Sequence, residues 1–285
     1  MAGALARRTG RGAIVCSAAA LAALVLAPAG QGSPAAAVGR PTATEQVVSP
    51  LAGILPPKNP PKNLAPNPYF YRFCAGGALD DTVACNAKVL LAIDHARATE
   101  PLGPLRFDLQ KFLRLNVADQ LFVIANLERV SRGEPPVSAL TTQLDRVAKA
   151  GAVADRDPEL SVSRLSGGAE MFGWGSNWAE GTESALGADD VWMYDDGFGS
   201  ANFDCRSVHA AGCWGHRDNV LRAWQRYLVG CPAANQRLVM GAGYSRSSHF
   251  GPSFAEIFVV ACGPKPTGEV FTWAEAQAAV AISHP

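Results

Sequence analysis

Downstream of residue 85, apolar residues recur at intervals of three and four, a spacing that predicts helices. Asn86–Glu100 carries Val89, Leu90, Ile93 and Ala96 on one face, and Pro101-Leu102-Gly103-Pro104 ends it. Asp108–Arg132 reads as helix in two pieces divided near Asn116, closed by Gly133 and Pro135-Pro136. Ser138 is expected to cap a helix bearing Leu140, Leu144, Val147 and Ala148 that ends by Gly151. The following Gly-, Ser- and Trp-rich stretch reads as loops with short strands. A further helix is expected over Ser184–Tyr194, burying Leu186, Val191 and Trp192. A long loop then covers Asp195–Gly215, and a short helix opens at Asp218 or Asn219 and runs through Arg226.

Near the C-terminus the period shortens to two. Arg237–Tyr244 and Ser253–Ala261 read as strands, joined by a loop over Ser245–Pro252 into an antiparallel hairpin. Helices followed by a hairpin predict an α+β fold, with helices flanking a small antiparallel sheet.

The N-terminal region follows neither period. Arg7, Arg8 and Arg11 precede an apolar run from Ala13 to Ala27, and small residues with Pro28 follow. That order is the pattern of a secretory signal, and the run is shorter than the ~20 residues a membrane-spanning helix needs. Residues 1–37 are therefore read as a signal peptide. Residues 38–68 hold eight prolines and read as a stiff linker. Residues 69–285 remain as a single globular domain.

Export changes how the cysteines are read. Without Cys16, which lies in the signal, six remain: Cys74, Cys85, Cys205, Cys213, Cys231 and Cys262. An even set in an exported chain reads as a disulfide framework, although six cysteines allow 15 pairings. Sequence proximity favours Cys74–Cys85, Cys205–Cys213 and Cys231–Cys262. Removing the signal leaves 22 of 25 basic residues against 25 acidic ones, a net charge of −3. No nucleic-acid footprint is expected from that balance, and nothing after Ala37 is apolar for long enough to span a membrane. An extracellular or wall-associated location follows.

Several chemistries lack their patterns. There is no Gly-x-Ser-x-Gly elbow, no paired-cysteine zinc spacing and no complete EF-hand loop. Asp189 and Asp190 are adjacent, and adjacent residues on a helix do not face each other. A divalent ion is the one cofactor with ligands on offer, since His216, His209 and Asp204 supply imidazole and carboxylate donors. The tryptophans read mainly as core.

The order of motifs resembles one family. Asp94-His95-Ala96-Arg97 is followed by Leu102-Gly103-Pro104-Leu105, then Gly175-Ser176-Asn177-Trp178-Ala179, then a helix carrying Trp192. Gly215-His216-Arg217-Asp218-Asn219-Val220-Leu221, Gly241-Ala242-Gly243-Tyr244 and the strand from Phe254 to Val259 complete the order. This is similar to the bacterial CAP superfamily, the SCP or pathogenesis-related-protein domain, across roughly residues 85–262. The resemblance implies a secreted α-β-α sandwich with a shallow cleft, in which two histidines and two glutamates hold a divalent ion in many members. His216 matches the later histidine. Ser176 stands where one glutamate is usual, Gly187 where the other is, and Asp155-Arg156-Asp157-Pro158 occupies the region of the earlier histidine. The expected cleft residues are thus His216, Ser176, Asn177, Asp189, Asp190 and His209. The expected function is a non-enzymatic binding module for a cell-wall, lipid or protein partner. The alternative is a divalent-metal-dependent hydrolase using His216 and nearby aspartates.

Overall fold

The clearest strand in the chain, Phe254–Ala261, lies within the central strand pair of the sheet. The structure is a computed structural model and describes residues 59–75, 78–249 and 251–282. The segment read as a signal peptide, 1–37, lies outside the described residues.

Three strands form the body of the sheet: β2 (Glu170–Glu180), β3 (Gln236–Ser248) and β4 (Gly251–Cys262). β4 pairs antiparallel with both of the others. Two short strands, β1 (Ala139–Thr141) and β5 (Glu269–Thr272), extend the sheet in the order β2-β4-β3-β1-β5. β1 runs parallel to β3 through Leu140 and Met240, and antiparallel to β5. The α+β expectation holds, while the expected small antiparallel sheet is five strands wide with one parallel pair.

Helices cover both faces because alternate residues of the central strands are apolar on both sides. Leu238, Met240 and Ala242 of β3 and Phe254, Phe258 and Val260 of β4 share a core with α1 (Val83–Ala98), α3 (Val117–Val130) and α5 (Ala185–Tyr194). Val239, Ile257, Val259 and Ala261 face the other way and pack with Leu144 and Ala148 of α4 (Thr142–Val153). Two-sided burial also explains why β4 is apolar nearly throughout. Gly241 and Gly243 let α4 approach β3 directly, since a Cβ at either would collide with the backbone of Leu144 or Lys149. The set is completed by α2 (Leu109–Phe112), α6 (Gly215–Leu221) and α7 (Trp273–Ala279).

Capping chemistry fixes several boundaries. Thr82, Asp108, Asn116, Ser184 and Thr272 each accept a hydrogen bond from the backbone three residues on. The break at Asn116 and the helix from Ser184 agree with the sequence reading. The helix expected from Ser138 instead begins after Thr141, whose side chain accepts from Leu144 N. Leu140 consequently sits in β1 and packs in the opposite core. The Gly/Trp-rich stretch contains the whole of β2, whose inner half is buried on both faces and so shows no alternation. The helix containing His216 opens at Gly215, not at Asp218 or Asn219. It ends at Leu221, because Arg222 is extended, and a separate 3-10 turn covers Trp224–Tyr227.

The disulfides are Cys74–Cys85, Cys205–Cys213 and Cys231–Cys262, the pairing that sequence proximity favours. No described helix is long and apolar enough to cross a membrane. The described end of the proline-rich segment is docked on the domain: Leu64 N donates to Tyr194 O at 2.8 Å. Asn63 clamps Gly197 from both sides, accepting from its amide at 2.7 Å and donating to its carbonyl at 3.3 Å.

Candidate functional site

His216 is the most specific sequence candidate, and its surroundings are made by four elements. Trp214 takes a left-handed conformation, φ 62°, and turns the chain into α6, leaving the His216 amide at the helix start. Asp196, just beyond α5, meets that start. Its Oδ2 accepts from His216 N at 3.0 Å, and its Oδ1 lies 2.5 Å from His216 Nδ1. With the carboxylate ionised, this contact requires the ring proton on Nδ1. Asn202 ties Asp196 in place, donating to its Oδ1 at 2.7 Å and its backbone oxygen at 3.0 Å. Burial raises the Asp196 carboxyl, and His216 works against that rise. Both residues are essentially inaccessible, at 1% and 0% exposure.

The other side of the site comes from β2 and β4. Asn177 donates to His216 O at 3.1 Å and to Glu256 Oε1 at 2.7 Å. Asn219 donates to Asn177 Oδ1 at 3.0 Å and to Ser176 O at 2.8 Å. Gly175 is required at this point, because a Cβ there would strike the Asn219 side-chain amide. Burial pushes the Glu256 carboxyl up to about 8, with Asn177 and His216 opposing. That rise favours the protonated form of Glu256 near neutral pH.

Asp157 approaches His216 from the loop after α4. It is 5% exposed, and neither carboxylate oxygen has a hydrogen-bond partner among the described residues. Burial raises it to about 7, with His216 opposing and Asp204 and Asp196 adding to the rise. Asp157 is also the link to the surface. It lines a hollow of about 260 Å³ with Arg146, Val147, Gly151, Arg156 and Glu159.

A second buried polar network joins the helices behind the site. Glu128 of α3 pairs with Arg97 at 2.5 Å and with Arg132, and accepts from Tyr194 Oη at 2.9 Å. Burial alone would raise Glu128, but Arg132 and Arg97 hold it low. Glu100 pairs with Arg132 at 3.0 Å and with Arg217 at 2.6 Å, and Arg217 also donates to Met193 O. Arg217 thereby anchors α6 to the turn after α1 and to α5. Asp189 lies between the two networks: it is fully buried, and burial, Glu128 and Glu256 all raise it. Asp190 is likewise raised, first by burial and then by Asp195.

The structure thus brings His216, Asn177 and the backbone of Ser176 together, with Asp189 close enough to feel Glu256. Asp190 is buried among Asp195, Glu183 and Tyr71 instead. His209 is exposed on the loop closed by Cys205–Cys213, and Asp204 is half-buried near Asp157. Trp178, Trp192 and Trp224 are buried, while Trp174 and Trp214 are partly covered. Asp157 entered the sequence analysis only within the segment that replaces the earlier histidine, and Asp196 and Glu256 were not among the expected cleft residues. Glu256 had a visible signal, an acid inside the apolar run Phe254–Val260.

The residues do not fit the divalent-ion set that the resemblance implies. Ser176 and Gly187 provide no carboxylate, and His216 Nδ1 is engaged by Asp196. Among the described residues, the group of three potential ligands within 4.8 Å of one another is Cys74, Asp80 and Cys85. Its two sulfurs are joined to each other. What the site can do is hold charge and protons in fixed places beneath a small hollow. Comparison with protein-family models, with curated proteins and with solved structures gave no match.

Proposed function

We propose that this chain is a secreted CAP-like binding module without catalytic activity. In this reading it presents the hollow beside Asp157 and His216 to a cell-wall, lipid or protein partner outside the cell. The observation that carries the reading is how the chemical groups are used. Asp196, Asn177, Glu256 and Asn219 spend their hydrogen bonds on one another and on the backbone around His216. A hydrolase needs a nucleophile, or a base in reach of a water, that meets substrate. Asp157, beside these groups, lines an open hollow. Helices on both faces of the sheet, the framework of three disulfides and the order of motifs support the CAP-like identity.

The test is retention. Purified protein is mixed with cell-wall sacculi, with phosphatidylglycerol/phosphatidylcholine vesicles and with immobilised secreted proteins. The reading expects saturable retention by one of the three, reduced at least tenfold by the charge swap Arg156→Glu/Glu159→Arg at the exposed rim of the hollow. Retention by none, or retention indifferent to that swap, contradicts it.

A further inference from the structure

A larger groove lies along α4, sharing Arg146 and Ala150 with the hollow, and it follows the edge of β3. β1 pairs with β3 only at Met240, whereas β3 continues to Ser248. Beyond Met240 no described strand lies along that edge. An unpaired strand edge is a template for another strand. Here two side chains of α4 stand in for the missing neighbour: Asp145 Oδ1 accepts from Ala242 N at 3.0 Å, and Lys149 Nζ donates to Tyr244 O. Ala242 and Tyr244 are two residues apart, so their edge groups have the repeat that an added strand presents.

The space beside this edge is open. A groove of about 820 Å³ is lined by Ala242, Gly243 and Tyr244 on one wall and by the Leu115–Ala118 segment and α4 on the other. Apolar residues Leu79, Leu115, Val117 and Val153 share its lining with charged ones. The charges are unequal. Arg146, Lys149 and Arg246 are exposed cations facing two carboxylates, of which Asp145 accepts from the strand and Asp81 is raised by burial and by Asp80, with Arg246 opposing.

We infer that the open edge of β3 binds an extended acidic peptide as an added sixth strand, over about five residues from Ala242 to Arg246. The peptide backbone replaces Asp145 and Lys149 as the partner of Ala242 and Tyr244. The released Lys149, with Arg146 and Arg246, then faces the peptide's carboxylates. The inference rests on the binding-module reading and names the chemical class of one partner, at a groove that adjoins the hollow lined by Asp157.

The full chain is screened against an immobilised library of random synthetic heptapeptides. Retained sequences are expected to be enriched in Asp and Glu. Their affinity should fall at least tenfold for Lys149→Glu/Arg246→Glu, two exposed positions that line the groove and not the hollow. N-methylation of alternate peptide amides should cost a similar factor, because added-strand binding runs through the main chain. An empty screen, retained sequences without acidic enrichment, or binding indifferent to charge reversal or N-methylation overturns the proposal. Binding of oleate in place of any peptide, weakened by the same double variant, also overturns it and makes the groove a lipid site. Cleavage of retained peptides would instead remove the non-enzymatic reading and leave the groove assignment standing.

Discussion

Glu256 sits in the middle of β4 with 1% exposure and a carboxyl pushed up to about 8 by burial. Its ordinary value is 4.5. Between those two values the folded protein binds a proton that the unfolded chain releases, so stability falls as pH rises through the window. The slope from this one group is on the order of 1 kcal/mol per pH unit. Glu256→Gln keeps an acceptor for Asn177 and removes the ionisation. Urea denaturation of the variant is therefore expected to show a shallower loss of stability from about pH 5 to pH 8 than wild type. Glu128 makes the opposite case, since its charge is required by the arginines around it. Glu128→Gln is expected to cost about 3–5 kcal/mol, because Arg97 and Arg132 lose a buried counter-charge. A loss below about 1 kcal/mol in the same denaturation experiment would mean the network is not a structural brace.

At the scale of elements, the contact between α4 and β3 is the tightest constraint. Gly241→Ala places a methyl group against the Leu144 carbonyl and is expected to destabilise by about 1–3 kcal/mol, measured as a shift in the denaturation midpoint. The helices of this protein were largely legible in the sequence because their apolar positions recur at helical spacing, whereas the one N-terminal cap read there, at Ser138, falls at Thr141. The hairpin was legible because β4 is a concentrated apolar run. β1 was hidden, since three residues are too few for a period and Leu140 fits a helical spacing equally well. β2 was hidden for the reason that makes it central: its inner half is covered on both sides, and its glycines serve close approach. The site was legible only at its anchor. His216 and Asn177 stood out by motif, whereas Asp157, Asp196 and Glu256 reach His216 from three separate segments that sequence spacing does not connect.

For the whole molecule, three disulfides tie loops to the two-faced core. Cys231–Cys262 closes the longest loop, with a separation of 31 residues, and fastens the end of β4 to the turn before β3. Loss of that bond by Cys231→Ser/Cys262→Ser is expected to cost a few kcal/mol, read as a lower thermal midpoint without loss of secondary structure. The same two-faced core buries the His216 network, and the proposed function gives that network a structural role and no turnover. The most direct test is a hydrolysis assay of purified protein on peptide, ester and glycan substrates, run beside His216→Ala. The account predicts no rate above the uncatalysed background in either protein, with His216→Ala changed only in stability. Hydrolysis by the wild type that disappears in a folded His216→Ala variant would contradict it.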